Sequence, residues 1–160
     1  MSESARPATP ADTSTLAALL AAFVDEIRAD RGGQLWATRE ARSLTDDGTI
    51  ERALNDPNAL VLAGCFDNSV VGCAIAALES LHDGSCLAVL RALYVDPAAR
   101  EVGVGAAMLT AVIEWATAAG CRGIDSLVLP GNRTSKNFFE AHGLVARAIV
   151  VHRTLTDDAP

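Results

Sequence analysis

The sequence is poor in positive charge and in aromatic residues, and these shortages limit the classes of partner it suits. It has 13 basic residues against 20 acidic ones, a net charge of −7, and only 4% aromatic residues. Lys136 is its single lysine. Because no basic run occurs anywhere in the chain, we expect neither nucleic acid nor an anionic membrane as the main partner. The acidity is compatible with a cationic substrate such as an amine.

Cysteine pairs, metal-ligand spacings and long apolar runs are also missing. The four cysteines have no Cys-x-x-Cys spacing, and each lies in an apolar stretch, so we interpret them as free thiols in a reducing cytoplasm. No cluster of His, Cys and Asp has metal spacing, so we expect no metal. No stretch reaches 18 apolar residues, and the apolar run at 16–24 has no positive leader. We therefore expect no membrane span, no signal peptide and a cytoplasmic location.

Length and periodicity predict one mixed α/β (α+β) domain. The 160 residues suit a single core, and we find no repeat, linker or low-complexity tract. We place the domain at residues 1–155 and a loose tail at 156–160. The predicted element order is β-α-α-β-β-β-α-β-α-β, with one or two strands after the last helix.

The individual elements follow from turn and cap signals. A helix start at Thr9 to Asp12 follows a short first strand at Ser4–Thr9, and an interrupted helical zone covers Thr38–Asn55. Asp67-Asn68-Ser69 separates two apolar runs and predicts a β-hairpin. The remaining predictions are a strand at Leu87–Val95, a helix from Gly103 to Gly120, a strand at Ile124–Leu129, a helix at Thr134–Ala141 and the last strands at Val145–Leu155.

The segment from Arg100 to Gly105 carries the most functional information. It reads Arg-Glu-Val-Gly-Val-Gly between a strand pattern and a helix pattern. Glycines at 103 and 105 allow a tight turn and a close approach of the backbone to a ligand. The free N–H groups and positive dipole end of the following helix favour an anion there, most often a phosphate.

Two phosphate ligands fit such a turn, a dinucleotide and coenzyme A. The dinucleotide fingerprint needs a third glycine where Met108 stands, and it needs the glycines directly after a strand. Here seven residues separate Val95 from Gly103, which disfavours a dinucleotide.

The coenzyme A alternative is supported by a resemblance to a known family. Tyr94-Val95-Asp96-Pro97, Arg100-x-x-Gly103-x-Gly105 and the following helix resemble the acetyl-CoA motif of the GNAT superfamily of N-acyltransferases. Asn132 to Leu144 resembles the family's second motif, an asparagine followed by a helix that ends in an aromatic residue, an acid and Gly-Phe. The two motifs together span about residues 87–145.

The resemblance implies a GNAT-like fold, acetyl-CoA as co-substrate, and direct attack of a primary amine on the thioester. It also implies a set of cofactor contacts. Main-chain groups of Leu93, Tyr94 and Val95 would pair with the pantetheine arm, and Asn132, Ser135, Lys136 and Phe139 would lie along the rest of the cofactor. The pyrophosphate would be wrapped by Arg100, Glu101, Val102, Gly103, Val104, Gly105 and Ala106.

Several departures from the family pattern affect affinity and catalysis. Glu101 and Val102 stand where the family often has glycine and a basic residue, and a carboxylate beside a pyrophosphate lowers affinity. The strand at 87–94 has no acid to act as general base, so Glu79 on the neighbouring strand is the best remaining candidate, with a solvated strand-end residue as the alternative. Phe139 replaces the family's usual acid, a tyrosine. Tyr94, the chain's one tyrosine, is the remaining candidate acid, with a packing role as the alternative.

The sequence gives the least information about which molecule accepts the acyl group. Arg91 stands in the region of the missing acid and would pair with a substrate carboxylate or a surface acid. We favour a small-molecule amine, because no extended basic or aromatic surface indicates a large partner. A protein lysine or N-terminus comes second, and a non-catalytic acyl-CoA sensor is the alternative from another class. The oligomeric state stays open, with a homodimer as one option.

Overall fold

The computed structural model describes residues 2–156 of the chain, which form one sheet with helices on both faces. The strands are β1 (Glu3–Pro7), β2 (Ala59–Phe66), β3 (Ser69–Ser80), β4 (Cys86–Val95) and β5 (Ile124–Ser126). The helices are α1 (Thr13–Arg28), α2 (Gly33–Arg39), α3 (Thr49–Leu54), α4 (Val104–Ala118) and α5 (Arg133–Ala141), with 3-10 turns at Pro10–Asp12 and Pro97–Ala99.

The sheet is mixed, and its strands follow one another in chain order. β1 to β4 are antiparallel neighbours, and β5 joins β4 in parallel. This arrangement confirms the predicted fold class, a single mixed α/β domain with a central sheet flanked by helices. Among the described residues, no helix is both long and apolar enough to cross a bilayer.

Each face of the sheet has its own apolar core. On the face covered by α1 to α3, the Phe23 ring centroid lies 5.5 Å from that of Trp36 and 6.0 Å from that of Tyr94. On the opposite face, α4 and α5 pack over the strands, with Met108 fully buried. A Cβ on Gly64 would lie 2.7 Å from the Met108 sulfur, so glycine at this strand position allows the close approach of α4.

The start of α1 is tied to β1 by charged hydrogen bonds. The buried carboxylate of Asp12 accepts from both Nη atoms of Arg6 at 2.8 and 2.9 Å, and from the backbone N–H of Thr9 at 2.8 Å. The Arg6 guanidinium, and then the Thr9 N–H, hold the pKa of Asp12 well below its ordinary value. The predicted helix start at Thr9 to Asp12 is therefore confirmed, with Arg6 as an added partner.

The β2–β3 hairpin forms at the predicted turn. Phe66 pairs with Ser69, so the loop has two residues, and Asp67 and Asn68 take positive φ values of 46° and 68°. Such values are typical of the turn whose twist matches that of the adjoining strands.

The helical zone predicted at Thr38–Asn55 is wrong in its bounds. It consists of two short helices, α2 and α3, joined by residues 40–48, and α2 begins at Gly33. Gly32 and Gly48 both take left-handed φ values, 80° and 75°, directly before these helices. Glycine adopts such values at little cost, so at both positions it lets the chain reverse and start a new helix.

The prediction of final strands at Val145–Leu155 is also wrong for this chain. Among the described residues, no helix or strand follows α5, and β5 is the edge of the sheet. The β-branched sequence gives these residues a preference for strand, but a strand forms only against a hydrogen-bonded neighbour, and this segment has none in the described chain. Of the predicted loose tail, only Thr156 lies within the described residues.

Candidate functional site

β4 and β5 are paired over only part of their length, and we name the open edge of β4 beyond these pairs the cleft. β5 pairs with β4 at three positions only, from Ala88 against Ile124 to Leu90 against Ser126. Beyond these pairs the chain leaves the sheet towards α5, so β4 has no strand neighbour on that side at residues 91–95 within the described chain. Such a strand edge offers backbone N–H and C=O groups to an extended ligand.

A β-bulge marks the start of the cleft. Adjacent residues of β3 pair with Ala92 and Leu90, which leaves Arg91 as the extra residue of β4. Bulges redirect side chains. Here Arg91 donates from Nη2 to the Ser43 hydroxyl at 2.6 Å, in the segment between α2 and α3.

The glycine turn closes the other end of the cleft. Glu101 and Gly103 take left-handed backbone φ values of 68° and 92°, and α4 begins directly afterwards. In the first turn of a helix the N–H groups have no intrahelical acceptors, and here they belong to Val104, Gly105 and Ala106. Together with the helix dipole they favour an anion at the start of α4.

Gly105 leaves a gap of the size of a methyl group beside the Phe138 ring of α5 and Val95 at the end of β4. A Cβ at this position would lie 3.6 Å from the Phe138 ring and 3.7 Å from Cγ2 of Val95. These are ordinary contact distances, so a methyl group fits there. A larger side chain would extend into the gap between the Phe138 ring and the strand.

Two carboxylates border the start of α4. Glu101 is exposed within the turn itself. The side chain of Glu3, on β1, lies against Gly103, with Cγ 3.0 Å from the position of a Cβ there. Because like charges repel, both carboxylates would lower the affinity of this end for a phosphate.

Arg100 is held on the α1 side of the turn. Its Nη2 lies 2.7 Å from Oε2 of Glu26, its Nε donates to the Val95 carbonyl at 3.0 Å, and its guanidinium lies 5.3 Å from the Tyr94 ring centroid. The hydrogen bond to Glu26 raises the pKa of Arg100. The family resemblance implies that Arg100 contacts the pyrophosphate. In this structure its guanidinium is instead paired with the carboxylate of Glu26 on α1.

Leu93, Tyr94 and Val95 all lie in the part of β4 that borders the cleft. Leu93 and Val95 pack towards α4 and α5, whereas the buried Tyr94 ring packs towards α1. Burial, followed by the charge of Glu26, raises the pKa of Tyr94. Val102 is partly exposed in the turn.

The polar residues of the second motif are engaged in helix α5 itself. The Asn132 side-chain oxygen accepts from the Ser135 backbone N–H at 3.1 Å and caps the helix. This leaves the Asn132 amide NH₂ as a donor group. Lys136 forms an ion pair with Glu140 one turn later, with Nζ and Oε1 2.6 Å apart.

Two neighbouring phenylalanines face the core from α5. Phe138 and Phe139 are half-buried and pack edge to face, with ring centroids 5.3 Å apart. Phe138, which the sequence analysis did not single out, is the ring that lies over Gly105.

Comparison with known families agrees with this geometry. The model of the Acetyltransferase (GNAT) family matches residues 21–144, which include both motifs and most of the sheet. The chain belongs to the GNAT acetyltransferase family.

Solved structures with the GNAT fold match almost the whole chain. A tetramutant of a Bacillus halodurans protein has a TM-score of 0.80 at 18% identity, over 94% of this chain and 99% of that one. The aminoglycoside N-acetyltransferase AAC(6')-Iy, in complex with CoA, has a TM-score of 0.71 at 22% identity, over 97% and 96%. An aminoglycoside acetyltransferase from an uncultured soil metagenomic sample has a TM-score of 0.71 at 19% identity, over 98% and 97%. At these identities the likeness shows the fold, and comparison with curated proteins found no match.

In this GNAT chain, Glu79 lies at the far end of the sheet from the glycine turn. It is exposed near the end of β3 and pairs with Leu87, eight residues before Val95, which corresponds to about 25 Å along the strand. Its side chain faces the α1–α3 side, as does that of Ile75 four residues earlier. Its role as base stays a prediction, as does that of Tyr94 as acid.

Asp125 of β5 is an acid that the sequence analysis did not assign to the site of this GNAT domain. It pairs with Val89, so its side chain lies on the same face as Glu79. Arg147 holds it through two hydrogen bonds, one of them 2.7 Å from Nε to Oδ1, and this contact lowers the pKa of Asp125. In the sequence, Asp125 could have been noticed as a charged residue inside an otherwise apolar strand pattern.

A shallow hollow of about 190 Å³ lies beside the bulge on the α1–α3 face. It includes Arg91 and Arg52, and the latter donates to the Asp47 carbonyl and the Thr49 hydroxyl. Within residues 2–156 neither arginine forms an ion pair. The same part of the chain contains no group of three or more His, Cys, Asp or Glu side chains arranged to hold a metal.

Proposed function

We propose that this GNAT protein transfers an acetyl group from acetyl-CoA to a primary amine of a small molecule. The observation that carries the proposal is the unpaired edge of β4 at residues 91–95, which leads to the free N–H groups at the start of α4. One extended ligand with amides in its chain and a pyrophosphate at one end suits both features.

Acetyl-CoA would be held at this site more by backbone N–H and C=O groups than by side chains. Main-chain groups of Leu93 to Val95 would hold the pantetheine amides, and the N–H groups of residues 104–106 would hold the pyrophosphate. The Asn132 amide would donate to the pantetheine arm, and Phe139 would form a wall of the acyl channel. Because Arg100 is paired with Glu26, and carboxylates border the turn, we expect modest affinity.

When bound, acetyl-CoA supplies an acyl thioester that a neutral amine can attack. A lysine-like amine at pH 7 needs about 4–5 kcal/mol to lose its proton, so a base contributes to the rate. Glu79 lies on the α1–α3 face of the sheet, where the acceptor would bind, and it would take the proton through water. Arg147 keeps Asp125 ionised, so Asp125 would hold a cationic amine rather than accept its proton.

The test is the release of the CoA thiol by the full chain from acetyl-CoA, with and without amines. The panel should contain aminoglycosides, polyamines, amino acids and lysine peptides. We expect amine-dependent release with at least one small amine. Release with peptides alone would move the acceptor to a protein lysine or N-terminus. No release with any amine, from a sample that binds acetyl-CoA, would contradict acetyl transfer.

Glu79→Gln tests the proposed base. Since a general base contributes about 10²–10⁴-fold, we expect kcat to fall by at least tenfold with little change in acetyl-CoA affinity. Glu114→Gln, an exposed glutamate on α4, is the matched control and should keep full activity. An active Glu79→Gln enzyme with an unchanged pH profile would remove Glu79 from the mechanism.

A non-catalytic acyl-CoA sensor is the second candidate function. Two observations favour it: β4 carries no acid, and Phe139 has no hydroxyl group to protonate the leaving thiolate. A free thiol has a pKa of about 8.5, so thiolate still leaves without an acid and activity remains compatible with Phe139. Tight acetyl-CoA binding without turnover across the whole panel would favour the sensor.

A further inference from the structure

Two cysteines that are far apart in the sequence meet at the end of the sheet opposite the glycine turn. Cys86 is the first residue of β4 and Cys121 follows α4, and their sulfur atoms lie 2.8 Å apart. A disulfide bond is about 2.05 Å long, so the two sulfurs need to approach by less than about 1 Å to be joined. Because 35 residues separate the two cysteines, only the fold brings them together.

The backbone beside the pair is fixed by hydrogen bonds. The N–H of Arg122 donates to the Cys86 carbonyl at 2.8 Å, and the N–H of Ala88 donates to the Gly123 carbonyl at 3.0 Å. These bonds continue the parallel pairing of β4 with β5. Adjacent strands lie about 4.8 Å apart, and a disulfide bridges Cα atoms that are about 4.4–6.8 Å apart. Cys86 and Cys121 can therefore be joined without unfolding either element.

The other two cysteines of the chain differ from this pair in burial. Cys86 and Cys121 are half-buried, so a small molecule in solution can reach them. Cys65 and Cys73 lie in the core at 5% and 0% exposure, and burial raises the pKa of Cys73 to about 12. Partly exposed cysteines react, whereas buried structural ones are inert. Within the described residues, Cys86 and Cys121 are therefore the two thiols that are both adjacent and accessible.

We propose that Cys86 and Cys121 form a modification site, at which a small disulfide such as oxidised glutathione converts the two thiols into an intramolecular disulfide. The Cys86 thiolate attacks one sulfur of the small disulfide, which releases one thiol and leaves a mixed disulfide on Cys86. The Cys121 thiol then loses its proton and attacks Sγ of Cys86, which forms the Cys86–Cys121 bond and releases the second thiol. The protein loses two electrons and two protons, and the oxidant becomes two thiols.

The order of the two attacks follows from the surroundings of Cys121. Burial, followed by the hydrogen bond to Cys86, raises the pKa of the Cys121 thiol to about 11, so this thiol is protonated near neutral pH. The first attack therefore comes from Cys86. The part of the shift that Cys86 causes disappears once Cys86 carries the mixed disulfide, and Cys121 then attacks a sulfur that already lies beside it.

The disulfide stabilises the domain and leaves the proposed cofactor site unchanged. It joins the end of α4 to the start of β4, whereas the proposed site lies at the start of α4 and the end of β4. A disulfide acts mainly on the unfolded chain, in which this one closes a loop of 35 residues. The proposal therefore does not rest on acetyl-CoA binding. In a reducing compartment the pair stays a dithiol, and an oxidising one closes the bond.

Thiol counting after oxidation tests the proposal on the unmodified chain. The folded full chain is incubated with oxidised glutathione at mildly alkaline pH, then unfolded and alkylated. We expect two of its four thiols to be lost, the intact mass to fall by that of two hydrogen atoms, and peptide mapping to join Cys86 to Cys121. The melting temperature should rise by about 5–15 °C and return to its initial value after reduction with dithiothreitol.

Two variants separate the pair from the other thiols. Cys121→Ser should keep a mixed disulfide on Cys86 and show no rise in melting temperature on oxidation. Cys65→Ala, at a buried cysteine, is the matched control and should lose two thiols as the unmodified chain does.

Three results on the unmodified chain would overturn the proposal, and none of them depends on a variant that folds. One is four free thiols under conditions that oxidise free dithiothreitol. Another is a mixed disulfide on Cys86 that persists instead of closing onto Cys121. The third is a disulfide that includes Cys65 or Cys73, or that joins two molecules.

Discussion

Glu101 combines a backbone cost with a charge that opposes the proposed ligand. Its φ of 68° lies in the left-handed region, which costs a residue with a Cβ about 1–2 kcal/mol. Its carboxylate also belongs to the turn whose N–H groups would bind a pyrophosphate. The GNAT pattern often has glycine at this position, which would remove both effects.

Glu101→Gly should therefore improve the site. We expect acetyl-CoA affinity to rise by about 3–10-fold, since removing one nearby like charge at a solvated site is worth about 1 kcal/mol. Thermal stability should stay level or rise. Glu101→Ala separates the two effects, because it removes the charge but keeps the strained φ. If neither variant binds acetyl-CoA more tightly in calorimetry, the carboxylate does not act on the ligand.

The buried carboxylate of Asp12 joins the start of α1 to Arg6 of β1. The stability that this contact contributes depends on pH in a direction that can be predicted. Its folded-state pKa is depressed, so its contribution to stability is fully present above about pH 5 and is lost as the pH falls below about 4.

Asp12→Asn should reduce the free energy of unfolding by about 2 kcal/mol at pH 7, because it removes the charge-assisted hydrogen bonds to Arg6. The difference from the unmodified protein should shrink as the pH is lowered from 5 to 3. Urea unfolding at several pH values measures both quantities. A difference that stays constant with pH would mean that the Asp12 charge contributes nothing.

At the scale of elements, the sequence predicts those turns and helix starts that depend on neighbouring residues. It does not predict strands whose formation depends on pairing with a distant part of the chain. The hairpin turn at Asp67 and Asn68, the start of α1 and the glycine turn before α4 all follow from local backbone chemistry, and they form as predicted. The start of α2 at Gly33 was not predicted, because a left-handed glycine such as Gly32 suits the end of one helix as well as the start of the next. The prediction of strands at Val145–Leu155 was wrong because strand preference does not show whether a neighbouring strand is available.

Gly105 tests the role of the junction between α4, α5 and β4. Gly105→Ala should raise stability by about 0.5–1 kcal/mol, as alanine does in helices, and keep acetyl-CoA binding, because a methyl group fits at 3.6 Å from Phe138. Gly105→Leu should weaken acetyl-CoA binding by at least tenfold, because its side chain would extend into the gap. Equal binding by the two folded variants would show that the ligand does not enter this gap.

At the scale of the whole molecule, the sheet assembles a site that the sequence shows only in part. Both motifs and the family could be recognised from local patterns. The separation of β4 from β5, and the placement of Glu79 and Asp125 on one face, depend on pairing between strands far apart in sequence. Likewise, the pairing of Arg100 with Glu26 depends on how α1 packs against the end of β4, which no spacing in the sequence encodes.

The most direct test of this account is calorimetric titration of the folded full chain with acetyl-CoA, with NAD as the control ligand and Gly105→Leu as the site control. We predict saturable binding at one acetyl-CoA per chain, no heat of binding with NAD, and loss of affinity in Gly105→Leu. A folded sample that does not bind acetyl-CoA would contradict the central claim, because the β4 edge and the N–H groups of α4 would then not form a cofactor site.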